Sequence, residues 1–307
     1  MDTAATPASP ADPYDVVVVG GSVAGLSAAL VLGRARFRVA VVDAGHPVNE
    51  GVAHSHGFLT QDGTPPADLV ATGRDEVARY GVDLVDDEVA GVMRRDDLFG
   101  VLRAAGEPLL ARRLVLATGM RIPLPDLPGL EEIWGGDAAN CPFCHGWEAQ
   151  DRPIAVIGDP AFVPHLSGLL TQWSDDVLAF LPEGADAAEI EALGAAVERR
   201  PPVRLLVEGG HLRGVEVGGG DVIAREALFV ARMAEPASPL PAALGCDVDD
   251  LGFPVVDELG LTSVPGVWAV GNAVTMGRGL VESAASGSMA ARAVTFDLIH
   301  ARVPAPT

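Results

Sequence analysis

The stretch "YDVVVVGGSVAGLSAALVLGRARFRVAVVDAG", residues 14–45, constrains the fold more than any other part of the chain. Val16–Val19 form a short apolar run without alternation, which predicts a strand buried on both faces. Glycines break the run, a small-residue segment of helical period follows, and a second apolar run ends at Asp43. Strand, glycine turn, helix and strand make a βαβ unit, the opening of a parallel, doubly wound sheet. The glycine spacing is G-x-S-x-x-G. Gly20 permits the tight turn, the position of Ser22 lets backbone N–H groups approach a pyrophosphate, and Gly25 lets the helix pack on the strand. Asp43 puts a carboxylate where ribose hydroxyls would lie. Gly20, Ser22, Gly25 and Asp43 are therefore candidate dinucleotide contacts, although the fingerprint does not separate FAD from NAD.

The same order of segments occurs twice. After the first unit, "EVAGVMRRDDLFGVLRAAGEPLLARRLVLATG" (88–119) reads as an antiparallel meander returning to a buried strand at Leu114–Ala117. "PIAVIG" (153–158) then starts a second strand-turn-helix, and "VRLLVEGGHLRGVEVGGGDVIAREALFVA" (203–231) a second meander. With 307 residues, enough for about two domains, the repeat predicts two related α/β domains. The tail at 266–299 reads as a strand, a loop and a small-residue-rich helix that returns to complete the first domain.

Charge narrows the partners. The net charge is -21, and all 21 basic residues are arginine. This argues against nucleic acid and anionic lipid as partners, and the absence of lysine excludes any lysine Schiff base or phosphate-loop lysine. No apolar run reaches the ~18 residues of a membrane span, and the Pro/Ala-rich leader lacks the basic and apolar regions of a signal peptide. The sequence thus predicts a soluble cytoplasmic protein with a disordered leader.

Three cysteines in such a chain cannot form a disulfide framework, and two of them lie in "NCPFCHGWE" (140–148). A Cys-x-x-Cys pair points to redox or metal chemistry. Zinc needs four ligands, yet only Cys246, His54 and His56 stand as further candidates, with no second Cys-x-x-Cys or spaced His pair. No metal is expected. Redox exchange needs a thiolate, and His145, directly after Cys144, can take a proton from an incoming thiol at neutral pH. The alternative is a histidine that only bonds nearby backbone.

Taken in order, the fingerprint at 20–25, "LVLATG" at 114–119, "CPFC" at 141–144 and "TSVPGVWAVGN" at 262–272 resemble the low-molecular-weight thioredoxin reductase family over nearly the whole chain. The resemblance implies two Rossmann-like three-layer α/β domains, each with a small antiparallel meander. One is FAD-binding (1–117 and 248–307), and the other, inserted at 118–247, is NAD(P)-binding in form and carries the cysteines. It implies FAD contacts from Thr118, Gly271, Asn272, Gly279 and Leu280, with Asn272 where the family usually has aspartate. Asn49 and His54, in a loop that in the family passes over the flavin, become candidate ring or substrate contacts, and Trp147 a candidate pocket residue. Cys141 becomes the sulfur that exchanges with substrate, and Cys144 the one beside the flavin. A homodimer is implied as well.

The chain leaves the family pattern in the second domain. In "IAVIGDPAFVPHLSGLL" only Gly158 of the glycines remains, Pro160 removes an N–H donor, and Val163 fills a small-residue position. Where a basic cluster would hold the phosphate of NADPH stands "LAFLPEGADAAEIEA". The expectation is a domain that keeps its fold but has lost useful NADPH binding. Electrons would then enter at the cysteines and leave through FAD to O2, giving H2O2, which resembles the dithiol oxidase branch of the family, of gliotoxin and holomycin type. The substrate would be a small-molecule dithiol. Two other readings stand beside it: a thioredoxin-like disulfide reductase fed by NAD(P)H or another carrier, and a non-enzymatic FAD-binding redox sensor.

Overall fold

The computed structural model describes residues 12–302; the leader expected to be disordered lies outside them as far as residue 11. The chain divides into two compact units, one comprising residues through Pro47, Asp68–Arg121 and Glu235 onward, the other Val48–Ala67 and Ile122–Ala234.

The first unit opens with β1 (Tyr14–Val19), α1 (Val23–Arg34) and β2 (Val39–Asp43). It continues through α2 (Pro66–Ala78), β3 (Asp83–Asp86), the meander strands β4 (Val89–Arg95) and β5 (Leu98–Arg103), and β6 (Leu109–Leu116). β1 pairs in parallel with β2 and with β6, and β2 with β3, whereas β5 joins β4 and β6 antiparallel. Because side chains alternate along a strand, β1 divides its valines between two cores. Val16 and Val18 pack with Leu32 of α1 on one face, and Val17 and Val19 with Phe99 and Val101 of β5 on the other. That double burial explains an apolar run without alternation.

The chain leaves this unit through β7 (Met120–Arg121). The second unit holds α3 (Leu130–Ile133), β8 (Ala138–Ala139), α4 (Pro142–His145), β9 (Ile154–Gly158), α5 (Val163–Leu170), β10 (Val177–Phe180), α6 (Ala188–Ala192) and β11 (Ala196–Glu198). Its meander is β12 (Pro202–Glu208), β13 (His211–Val217) and β14 (Val222–Ile223), followed by β15 (Ala227–Ala231). The five-stranded parallel sheet runs β11-β10-β9-β15-β8. β9 repeats the division made by β1. Ile154 and Val156 pack with α5, and Ala155 and Ile157 with the meander.

The return begins with β16 (Glu235–Pro236) and α7 (Leu240–Ala243), and ends with β17 (Val267–Ala269) and α8 (Leu280–His300). β17 adds to the first sheet beside β6, and Ala290, Ala291, Val294 and Leu298 of α8 share the core of α1. The two-domain Rossmann-type α/β architecture is thus the one the sequence predicts.

Residues 118–121 and 235–247, expected in the insert, stay with the first unit because β7 pairs antiparallel with β16 and Ala237 N donates to Gly119 O at 3.2 Å. Residues 48–67, expected in the first domain, group with the second.

Candidate active site

Gly20 follows β1 with φ +103°, and a Cβ there would lie 2.2 Å from Ala117 O. Only glycine tolerates both constraints. A Cβ on Gly25 would lie 1.9 Å from Gly20 O, so α1 starts hard against the turn. Asp43 accepts a hydrogen bond from Gly21 N at 2.9 Å, which pins the carboxylate beside the turn. Ser22 is the N-cap residue of α1 and makes no side-chain cap bond, so the first-turn amides of this helix are not used by a side chain. A backbone cradle at a helix start, with a carboxylate at the end of the next strand, fits the pyrophosphate and ribose of FAD. Gly271, at φ +63°, comes so close to α1 that a Cβ would meet Ala24 Cβ at 2.7 Å. Asn272 donates from Nδ2 to Thr275 O at 3.1 Å and Arg278 O at 3.0 Å, and Ser283 Oγ donates to its Oδ1 at 3.3 Å. Gly279 is the N-cap residue of α8 and Leu280 its first residue. Thr118 N lies 3.4 Å from the Gly20 Cβ position.

The second unit repeats the turn but fills it differently. Gly158 has φ +134°, and a Cβ there would again lie 2.2 Å from a carbonyl, Ala231 O. The next residue, Asp159, accepts a hydrogen bond from Ala161 N at 2.9 Å. A carboxylate therefore takes an amide of the turn in which a phosphate would have to sit. Val163, fully buried, begins α5. An arginine does reach the loop after β10, which the local sequence did not foretell, but Arg199 Nη1 is used on the carbonyls of Pro182 and Ala185, each at 2.9 Å. Arg200 binds Glu198 and Asp221, at 2.8 and 2.7 Å, and holds the Glu198 carboxyl down at about 2.

Cys141 and Cys144 form a disulfide with Cα atoms 5.3 Å apart. Cys141 is the N-cap residue of α4, Pro142 supplies the preset φ of a first helical position, and both Cys144 N and His145 N donate to Cys141 O, at 3.2 and 3.1 Å. Phe143 and Trp147 are exposed, 74% and 70%, and Phe143 meets Trp173 edge-on at 5.9 Å. Both ring nitrogens of His145 are buried and without a hydrogen-bond partner among the described residues. Burial lowers its pKa, Glu148 raises it, and His56 lowers it; the net direction is down, so the ring is neutral at pH 7 and able to accept a proton.

The loop 48–67 brings more than the sequence assigned to it. His54 is tied to its own loop, Nδ1 to Gly63 O at 3.0 Å, and Asn49 sits in the turn at 48–51. His56, considered only as a zinc ligand, instead contacts Glu148 Oε1 through Nε2 at 3.4 Å and Asp62 through Nδ1 at 3.5 Å. The pairing of His56 with Asp62 six residues on was the available signal. Cys246 is buried and donates to Thr262 Oγ1 at 3.5 Å, as a core residue does. Among the described residues no group of three or more His, Cys, Asp or Glu could hold a metal, and no helix is long and apolar enough to cross a membrane.

Residues 14–159 match the family described as pyridine nucleotide-disulphide oxidoreductase. The chain is 43% identical to the crystal structure of HlmI, with TM-score 0.90 over 94% of this chain and 93% of that one. It is 31% identical to a putative thioredoxin reductase, TrxB, from Bacillus anthracis, with TM-score 0.88 over 94% of this chain and all (100%) of that one. A probable thioredoxin reductase of Arthroderma benhamiae is 34% identical over 57% of this chain, a match spanning 45% of that longer protein. The chain belongs to the pyridine nucleotide-disulphide oxidoreductase family, as a thioredoxin reductase-like flavoprotein whose cofactor is FAD.

Proposed function

We propose that the chain is a FAD-dependent dithiol oxidase that closes a small-molecule dithiol to its intramolecular disulfide, with O2 as acceptor and H2O2 as co-product. The observation that carries this reading is the filled turn of the second unit. Asp159 occupies the turn amide, Pro160 lacks an N–H, and Arg199 and Arg200 are committed to carbonyls and carboxylates. A dinucleotide phosphate would meet the Asp159 carboxylate there, while Arg199 and Arg200 are engaged elsewhere. With that entrance closed, electrons enter at the disulfide.

His145 takes the proton of one substrate thiol, and the resulting thiolate attacks Cys141 Sγ. The Cys141–Cys144 bond breaks, and Cys144 leaves as thiolate. The second substrate thiol, deprotonated in turn, attacks the substrate sulfur of the mixed disulfide; the product disulfide closes and Cys141 is released. Bound FAD supplies a two-electron acceptor for the reduced cysteines, and O2 takes the pair with two protons to give H2O2. Exposed Phe143 and Trp147 give the disulfide an apolar rim suited to a small organic dithiol. Gly20, Ser22, Gly25, Asp43, Thr118, Gly271, Gly279 and Leu280 are the proposed cofactor contacts, with Asn272 fixing the turn before α8.

We also propose a homodimer. Val281, Met289, Phe296 and Ile299 of α8 are 41%, 44%, 65% and 47% exposed and share one helix face, opposite the face packed on α1. The names of the relatives favour a second reading, a disulfide reductase acting on a thioredoxin-like protein.

One experiment separates the two. Under anaerobic conditions a small dithiol should bleach the flavin absorbance stoichiometrically, and air should restore it with one equivalent of H2O2. NADPH should leave the flavin oxidised on the same time scale. Rapid bleaching by NADPH, with none by dithiols, overturns the oxidase reading.

A further inference from the structure

The unpartnered ring of His145 raises the question of where its proton goes. A base in repeated turnover must release each proton it collects, and a buried imidazole without a partner cannot pass one to bulk water directly. His145 borders a cavity of about 10 Å³, the size of about one water molecule, lined also by Asp137, Glu148, Arg152 and Phe229. Across that cavity Asp137 is occupied. It accepts from Arg152 Nη2 at 2.9 Å, from Leu212 N at 3.0 Å and from His211 Nδ1 at 3.1 Å, and its carboxyl is held below the usual range, burial being outweighed by these donors. Arg152 is shared between Asp137, Glu226 and the backbone oxygen of Glu148. Two carboxylates on the cavity lead outward, Asp137 to the exposed imidazole of His211 and Glu148 to His56. Asp137, with three donors on it and its carboxyl below the usual range, is the poorer proton acceptor, which leaves Glu148 as the way out.

Glu148 is half exposed, and its Oε1 lies 3.4 Å from His56 Nε2. The other nitrogen of His56 faces Asp62, whose carboxylate is anchored by Gly57 N at 2.9 Å. The second carboxylate fixes the orientation of the imidazole, as carboxylates do for histidines that carry protons or metals. A carboxylate passes a proton on but does not retain it at neutral pH, whereas an imidazole both takes and releases one.

We propose that Glu148 and His56, oriented by Asp62, form a relay that carries the proton from His145 to solvent. Both are positioning residues that act through His145 and do not touch the reacting sulfurs. The relay rests on the reading that a thiol gives up its proton at this disulfide. It moves protons only, one for each substrate thiol, and no electrons. The charged groups facing His145 are Glu148 and His56, with the Asp137–Arg152 pair and His211 behind the cavity.

The test has two arms. In the oxidised holoprotein, with no substrate present, the titration of His145 is followed by NMR of isotopically labelled histidine, its signal assigned through His145→Asn. Glu148→Gln should move the titration midpoint down, because the nearby negative charge is lost. His56→Gln should move it up, because a competing positive charge is lost. Midpoints unmoved in both variants overturn the relay, whatever the enzyme's substrate proves to be.

In the second arm, anaerobic bleaching by a small dithiol is timed from pH 6 to 9. His56→Gln should slow it by roughly 10-fold at neutral pH, below the ~10²–10⁴-fold usual for loss of the base itself, and added imidazole should restore the rate. A rate unchanged in His56→Gln, or lowered without rescue, overturns the relay. If the wild-type protein is not bleached by dithiols, the oxidase reading fails and the NMR arm still decides on the relay.

Discussion

The carboxamide of Asn272 donates to two carbonyls, Thr275 O and Arg278 O, and accepts from Ser283 Oγ. Aspartate, which the family resemblance implies at this position, could accept from Ser283 but could donate to neither carbonyl. Asn272→Asp should therefore destabilise the turn before α8 by about 1–3 kcal/mol, the range for leaving polar groups without partners. A thermal melt at neutral pH should show a lower midpoint, and one unchanged within a degree would mean that the turn does not depend on the amide. The sequence displays the substitution but not its reason, because the two carbonyls are fixed only by the path of residues 273–278. The same limit applies at the disulfide. Cys141, Cys144 and His145 are contiguous and could be read directly, whereas His56 meets Glu148 only after the chain has folded.

At the scale of elements, packing of α8 on α1 depends on one small residue. A Cβ on Gly287 would lie 2.0 Å from Ala24 O and 3.2 Å from Ala28 N. Backbone cannot yield as a side chain can, so Gly287→Ala should force the helices apart and cost about 3 kcal/mol or more, the upper end for overpacking. Denaturant unfolding measures this, and a loss under ~1 kcal/mol would show that the two helices slide without penalty. The small residues of "SAASGSMAA" were legible as a helix returning to the first domain, though not its close contact with α1, and the doubled order of strand, turn, helix and meander announced the two sheets. The composition of β1 and β9 was legible for the same reason, since strands buried on both faces must be apolar throughout. What remained hidden was the filling of the second turn: Pro160 is visible in the chain, but the bond from Ala161 N to Asp159 exists only in the folded turn.

For the whole molecule, the open question of assembly comes down to one helix face. Val281, Ala285, Met289, Arg292, Phe296 and Ile299 follow a spacing of three and four residues, which in a sequence looks like a core-facing stripe. The core in fact takes the other side of α8, through Ser283, Gly287, Ala290, Ala291, Val294 and Leu298. A helix of 21 residues is ~30 Å long, so the stripe is an extended, mostly apolar strip, interrupted by Arg292, rather than scattered exposed side chains. Such a strip matches an isologous contact in which the same surface of two copies meets across a twofold axis. Stable dimers bury about 1,600 Å² in total, which needs neighbouring residues as well as this helix, but aromatic and Met side chains at the centre dominate the energy. Replacing Met289 and Phe296 together by aspartate places two charges from each copy at that centre. Light scattering on the eluting holoprotein should give the mass of a dimer for the wild type and of a monomer for the double variant, with the visible flavin spectrum retained in both. A wild-type monomer, or a double variant that stays dimeric, would assign the stripe another role.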